Sequence, residues 1–501
     1  MRDPKRMAVL VLLALAAAAG CTAPVRFPAV ALAQQQTADG LLQAYDTDGD
    51  KRADYFTTQD ADGRKVRIAY DTSGDGKPDS FVDLDAIRLP QCRHLVFILD
   101  GMPYEVVEAY RQEGGLRLFH PPSRLISTYP SMTDLALADL FHSSPCLGLE
   151  ALYFNHRTNR LAGGDADYLA MKNEAWVHHL DYRAGTIWDP IAYVYPDQVF
   201  DKELGDVRKL FDRRDRRQLS AYLVSTAGLA TRDGIAGMLK QLDVIDRLAE
   251  ELVWETRGLV KVTILSDHGH TLMRSRRIDF RPALKQKGWR ITDRLGGPRD
   301  VVPIEYGLVT YASFATRDRA GLAADLVTCE GVRLVSYAEG DTVAVRNADG
   351  QGLIERRGDR YRYRATGDDP LQLLPVLADL KAKGRCDADG FVADRVLFEA
   401  TAAHVYPDAL DRLWRVFHGL AENVPDVIVD LAEGYYAGLE SRAAWYRTAA
   451  STHGDLERSS STAVILSTAG PLPPVLRSRD VPEAMEALTG EPWPAPREGR
   501  D

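Results

Sequence analysis

Hydrophobic positions along the chain fall into two rhythms. His94-Leu95-Val96-Phe97-Ile98-Leu99 is a continuous apolar run that stops at Asp100-Gly101. Leu259 to Leu265 repeats the form, broken only by Lys261, and stops at Ser266-Asp267-His268-Gly269. Ala221 to Val224 is a third such run. Continuous apolar runs bounded by turn residues predict strands buried on both faces, as in a parallel sheet. Between them, Ile235 to Trp254 carries apolar residues at helical spacing. Ala409 to Phe417 reads as another helix and Val427 to Leu431 as another strand. Strands alternating with helices predict an α/β fold with a doubly wound, mostly parallel sheet. In such sheets ligands bind where strands end, and two strand ends here carry acidic residues.

Two other segments alternate with period two. Residues 340–365 read as a β-hairpin, within a β-rich insertion at about 330–400. Tyr55 to Thr58, the turn Asp60-Ala61-Asp62-Gly63 and Val66 to Tyr70 read as strand, turn and strand. They lie between two acidic loops. The first is Asp46-Thr47-Asp48-Gly49-Asp50 with Asp54 after it, and the second is Asp71-Thr72-Ser73-Gly74-Asp75-Gly76 with Asp79 after it. Oxygen side chains at alternate positions, with Gly to fold the loop back, suit a hard cation such as Ca²⁺. The downstream bidentate Glu of an EF-hand is missing, and plain Asp/Gly β-turns with no ion are the alternative.

The N-terminus precedes the fold. Arg2, Lys5 and Arg6 lead into the short apolar run Met7 to Ala19, which ends at Ala18-Ala19-Gly20-Cys21. Such a run reads as a signal peptide rather than a membrane span. The end resembles a bacterial lipobox, with Cys21 the lipidated residue, although Ala18 stands where Leu is usual. The expectation is an exported protein held on a membrane by a lipid; secretion after cleavage near Ala33 is the alternative. Residues 22–40, rich in Pro, Ala and Gln, read as a tether. Residues 41–90 form the acidic repeat segment, 91–485 the main domain and 486–501 a fraying tail.

The 501 residues suit two or three domains. A net charge of -10 argues against a general nucleic-acid-binding surface. Cys92, Cys146, Cys329 and Cys386 are widely spaced with no CxxC pair, which excludes a zinc ribbon and leaves any disulfide pairing open.

Four short signals carry chemistry: Asp100 at a strand end, Pro130-Ser131-Met132-Thr133 before a predicted helix, Asp267-His268-Gly269, and His453-Gly454. A hydroxyl at a helix start has unpaired N–H groups and a favourable dipole beside it, which suits phosphate. Two carboxylates and an imidazole suit a zinc-like ion, which activates such a hydroxyl as a nucleophile. The order of these motifs over residues 93–475 resembles the alkaline phosphatase superfamily, nearest its nucleotide pyrophosphatase/type I phosphodiesterase branch. The resemblance implies an alkaline phosphatase-like fold and Thr133 as nucleophile. It also implies Asp100, Asp267 and His268 as ligands of one metal, with Thr133 beside it, and His453 as a ligand of a second.

One departure cuts across the resemblance. The family's Asp-x-x-Gly-His-x-x-Gly pattern has no counterpart in Tyr222 to Gly234. One register places Ala227 and Thr231 at the ligand positions, and another places Ser225 and Leu229 there. His270, Asp189, His178 and His179 are left as possible substitutes, while His404 and His418 read as structural. The expected function is hydrolysis of a small phosphoester or surface polymer, with one or two zinc ions. The rival is a degenerate member that binds a phosphate-bearing ligand or surface glycan without turnover.

Overall fold

The computed structural model describes residues 25–213, 216–440 and 449–495. The signal segment, Cys21 and residues 496–501 lie outside the described residues. At the centre is a seven-stranded sheet. Its spatial order is Tyr182–Arg183, Gln218–Leu223, Arg93–Leu99, Val260–Ser266, Thr462–Ser467, Ser123–Ile126 and Val475–Arg477. Only Thr462–Ser467 runs against the others.

Both faces of this sheet are covered, which is why its central strands are mostly apolar. Leu95, Phe97 and Leu99 pack on one side beneath helix Ile235–Glu255. Val96 and Ile98 pack on the other with Leu137 and Leu140 of helix Thr133–Leu140. On helix Ile235–Glu255, Met238, Leu242, Ile245, Leu248 and Leu252 line the inner face at three- and four-residue spacing and are at most 1% exposed. Burial of each stabilises by roughly 1.5–3 kcal/mol.

The predicted hairpin is part of something larger. Residues 342–367 contribute three antiparallel strands to a nine-stranded sheet that runs from Arg290–Ile291 to Val392–Ala393, with Val332–Glu339 at its centre. Val343, Val345, Ile354, Tyr361 and Tyr363 form one apolar face, closed by Leu410, Leu413 and Val416 of helix Ala409–Phe417. A lone hairpin has no such cover, so these strands belong to a second sheet rather than to a local insertion.

The tether and the tail are also corrected over the described residues. Val25 and Phe27 are buried, and the N–H groups of Arg26 and Phe27 both donate to Glu251. Ala33–Thr37 pairs with Gly40–Tyr45 at the edge of a five-stranded antiparallel sheet. The Pro, Ala and Gln composition concealed two apolar anchors and a polar edge strand. At the other end, helix Val481–Thr489 continues past residue 485, and the buried Trp493 packs on Phe141 at 5.3 Å.

In the five-stranded sheet the two acidic loops fold alike. Asp46 accepts from the N–H groups of Gly49 and Lys51, and Asp71 from those of Gly74 and Gly76. Asp54 accepts from Thr47 and Asp79 from Thr72. Cys92, Cys146, Cys329 and Cys386 are all free thiols.

Candidate active site

Parallel pairing sets Ser266 opposite Leu99, so Asp100 and Asp267 leave adjacent strands at the same edge. Ser123–Ile126 runs in the same direction and delivers the loop that ends at Thr133. Thr462–Ser467 runs the other way, so the segment before it brings His453 to that edge too. All five predicted residues therefore meet.

Thr133 is the first residue of helix Thr133–Leu140, whose N-cap is Met132 with no side-chain cap. Its hydroxyl does not cap the helix. It lies 3.1 Å from His268 Nε2 and 3.4 Å from Asp100 Oδ1. Around it the start of the helix is pinned: Asp134 accepts from Trp176 Nε1 at 3.1 Å and from Asn173 Nδ2 at 3.0 Å. The buried Arg412 donates to Thr128 O at 2.9 Å, Ser131 Oγ at 3.1 Å and Leu456 O at 3.2 Å. It thereby ties the Thr133 loop to the segment that follows His453.

The carboxylates are short of partners. Asp100 Oδ2 accepts from the Tyr222 hydroxyl at 2.6 Å, and Asp267 Oδ1 from Gly101 N–H at 3.1 Å. Asp267 Oδ2 is buried with no hydrogen-bond partner. His268 Nε2 lies 3.5 Å from Asp100 and 3.4 Å from Asp267, and no Lys or Arg pairs with either carboxylate among the described residues. Burial, then the like charge of Asp267, pushes the Asp100 carboxyl well above its usual range; burial also raises Asp267. Burial drives the His268 imidazole down to about 4. Burial, followed by His268, takes His453 down to about 3. Both rings are therefore neutral at pH 7, with a lone pair to offer.

A buried cluster of two carboxylates and a neutral imidazole, with an orphaned oxygen and no organic cation, is the donor set of a divalent metal. Asp100, Asp267 and His268 each offer an atom within 4.8 Å of the others, and so do His268, His270 and His453.

Residues 225–231 contain no His, Cys, Asp or Glu. Ser225 bonds to Glu203, Ala227 is fully buried, and Leu229 lies in the core. Asp189 is turned to Tyr168 and Arg183. His179 stacks on Phe141, His418 on Trp414, His404 bonds to Gln372 O, and His178 is exposed. Tyr222 and Arg412 carried no sequence signal as site residues, since an aromatic residue inside an apolar strand reads as core.

No protein-family profile matches the chain, and no curated protein matches it in sequence. Among solved structures it is similar to murine ectonucleotide pyrophosphatase/phosphodiesterase 5, at 11% identity and a TM-score of 0.43 over 81% of this chain and 97% of that one. An inactive variant of the murine protein in complex with AMP is 10% identical over 82% of this chain and 97% of its own, with a TM-score of 0.43. Phosphonoacetate hydrolase from Sinorhizobium meliloti 1021, in complex with phosphonoformate, is 12% identical over 83% and 97%, also at 0.43. At such identity, residue roles in this chain rest on its own geometry.

Proposed function

We propose that the chain is an exported, metal-dependent phosphoester hydrolase of the phosphodiesterase or pyrophosphatase kind, with Thr133 as nucleophile. The observation that carries this reading is the hydroxyl at a helix start, 3.1 Å from a neutral imidazole and beside two buried carboxylates that lack a cation. Asp100, Asp267 and His268 are the residues to hold a zinc-like ion beside Thr133, and His453 is a ligand for a second. When bound, a divalent ion lowers the pKa of a neighbouring hydroxyl and offsets charge on phosphoryl oxygens, worth several kcal/mol.

The chain's own groups do the rest. The first N–H groups of helix Thr133–Leu140 have no intrahelical partner and, with the helix dipole, favour a phosphoryl group on Thr133. Attack of Thr133 Oγ1 on phosphorus forms a Thr–O–P bond and breaks the ester bond, and the leaving oxygen takes a proton. Water then attacks that phosphorus, releases the phosphate product and returns Thr133 as a hydroxyl.

Chelated protein is expected to be inactive toward an aryl phosphodiester and to regain hydrolysis with zinc or manganese. The absent ligands at residues 225–231 favour a second reading, binding without turnover. That reading prevails if zinc, manganese and calcium all fail to restore hydrolysis while a phosphate ester still binds.

We also propose calcium in the first acidic loop, where Asp46, Asp48 and Asp50 converge within 4.8 Å. The second loop, Asp71, Ser73, Asp75 and Asp79, has one carboxylate fewer because Ser73 stands in the place of Asp48. Millimolar calcium is expected to raise the Tm of the full chain, since a ligand of the folded state stabilises it by mass action. Asp48→Ala should remove most of the shift. An unchanged Tm at saturating calcium would leave both loops as Asp-capped turns.

A further inference from the structure

We propose that His270 completes a metal position made by the Nε2 atoms of His268, His270 and His453, and that this all-imidazole position stands in for the ligands missing from residues 225–231. The inference deepens the metal-dependent reading above and rests on it for any role in turnover.

Three observations carry it. First, each ring has its Nδ1 side tied to an acceptor. His268 Nδ1 lies 2.8 Å from Gly269 O and His453 Nδ1 2.8 Å from Ser131 O. His270 Nδ1 lies 3.0 Å from Ser451 Oγ, whose own hydrogen goes to Thr271 O. A carbonyl can only accept, and the Ser451 hydroxyl has spent its donor, so all three Nδ1 atoms carry the proton. All three Nε2 atoms are left with lone pairs. Metal-binding histidines are oriented in this way, with the far ring nitrogen donating to an oxygen.

Second, the rings converge, with one nitrogen of each within 4.8 Å of the others. The His268 and His453 rings stack at 3.9 Å, and the His270 ring centre is 5.2 Å from that of His453.

Third, His270 has no other use. Its residue is 0% exposed, and its Nε2 is buried with no hydrogen-bond partner. A buried ring nitrogen left unpaired is destabilising, and a bound ion relieves it. The neighbouring backbone accommodates it: a Cβ on Gly101 would lie 2.4 Å from His270 Nε2, and Gly101 has φ +73. Only glycine leaves room for the imidazole there.

Three imidazoles favour zinc and other late first-row ions over calcium or magnesium. His268 Nε2 belongs also to the carboxylate group, so it serves one ion at a time.

The test is metal content and ligand spectroscopy on the full-length protein, purified, chelated and reloaded. His270→Ala and His270→Asn are expected to lose one bound zinc per chain against a competing chelator. Both should also change the visible spectrum of the cobalt-loaded form. X-ray absorption at the zinc edge of the unmutated protein should count three imidazoles per chain, a readout independent of variant folding. Unchanged zinc content and cobalt spectrum in both His270 variants overturn the proposal, as does a zinc edge with fewer than three imidazoles. If the His270 variants lose the ion but the loaded parent hydrolyses no phosphoester, the metal position stands and the hydrolase reading falls. If they keep every ion and the parent is active, the hydrolase reading stands and this position falls.

Discussion

Thr133→Ala is expected to lower phosphodiester hydrolysis on the order of 10⁴-fold or more, as removal of a nucleophile does elsewhere, while leaving metal content and Tm at the parent level. The structure makes the two halves of that statement separable. Thr133 is the first helical residue, with Met132 as the N-cap, so alanine removes no cap. The hydroxyl instead faces His268 Nε2 at 3.1 Å and Asp100 at 3.4 Å, and those side chains are held independently by Gly269 O and by Tyr222. Thr133→Ser keeps the oxygen and should keep much of the rate. Asp267→Asn should behave differently, because it removes a charged ligand: metal affinity and turnover fall together. A Thr133→Ala protein that hydrolyses at the parent rate would place the nucleophile elsewhere.

The site was legible because its elements announce themselves locally. Apolar runs that stop at Asp100 and at Asp267-His268 mark strand ends, and parallel pairing then brings those ends together without further information. Residues that act across the chain left no such mark. Tyr222 lies inside an apolar strand, where its ring packs as core against Trp176 at 5.3 Å while its hydroxyl alone reaches Asp100. His270 was visible as a spare histidine, but its direction is fixed by Ser451, 181 residues away. The second sheet was under-read for a related reason. Its central strand, Val332–Glu339, and its neighbour, Val427–Leu431, are separated by the whole run of strands and helices between them. Local alternation therefore showed the hairpin and not the sheet it extends. The tether failed on composition: Val25 and Phe27 are two apolar residues in a polar stretch, and their burial depends on Tyr45, Tyr55 and Glu251.

That last contact joins the acidic-loop sheet to the α/β body. Lys65 is buried on the strand Lys65–Tyr70, and its ammonium pairs with the buried Glu250 of helix Ile235–Glu255 and donates to Tyr45 Oη at 3.2 Å. Burial alone would lower the Lys65 pKa, but Glu250 outweighs it and holds the ammonium above its usual range. A lysine so raised contributes its stability below the unfolded pKa of about 10.4 and loses it only as pH rises beyond that. The pair is therefore at full strength at pH 7. Glu250 Oε2 has no hydrogen-bond partner, so removing the lysine leaves a buried carboxylate unpaired. Lys65→Met is expected to destabilise the chain by about 3–5 kcal/mol, read as a drop in the urea midpoint. Adding Glu250→Gln should recover part of that loss, because the stranded charge goes with it. Tyr45, Tyr55, Ile68 and Tyr70 share one apolar core with Leu242, Ile245 and Leu252. The N-terminal sheet and the central sheet should therefore unfold in a single transition in parent and variant alike. A separate early transition confined to residues 25–90 would show instead that the sheet is an independent module resting on the body.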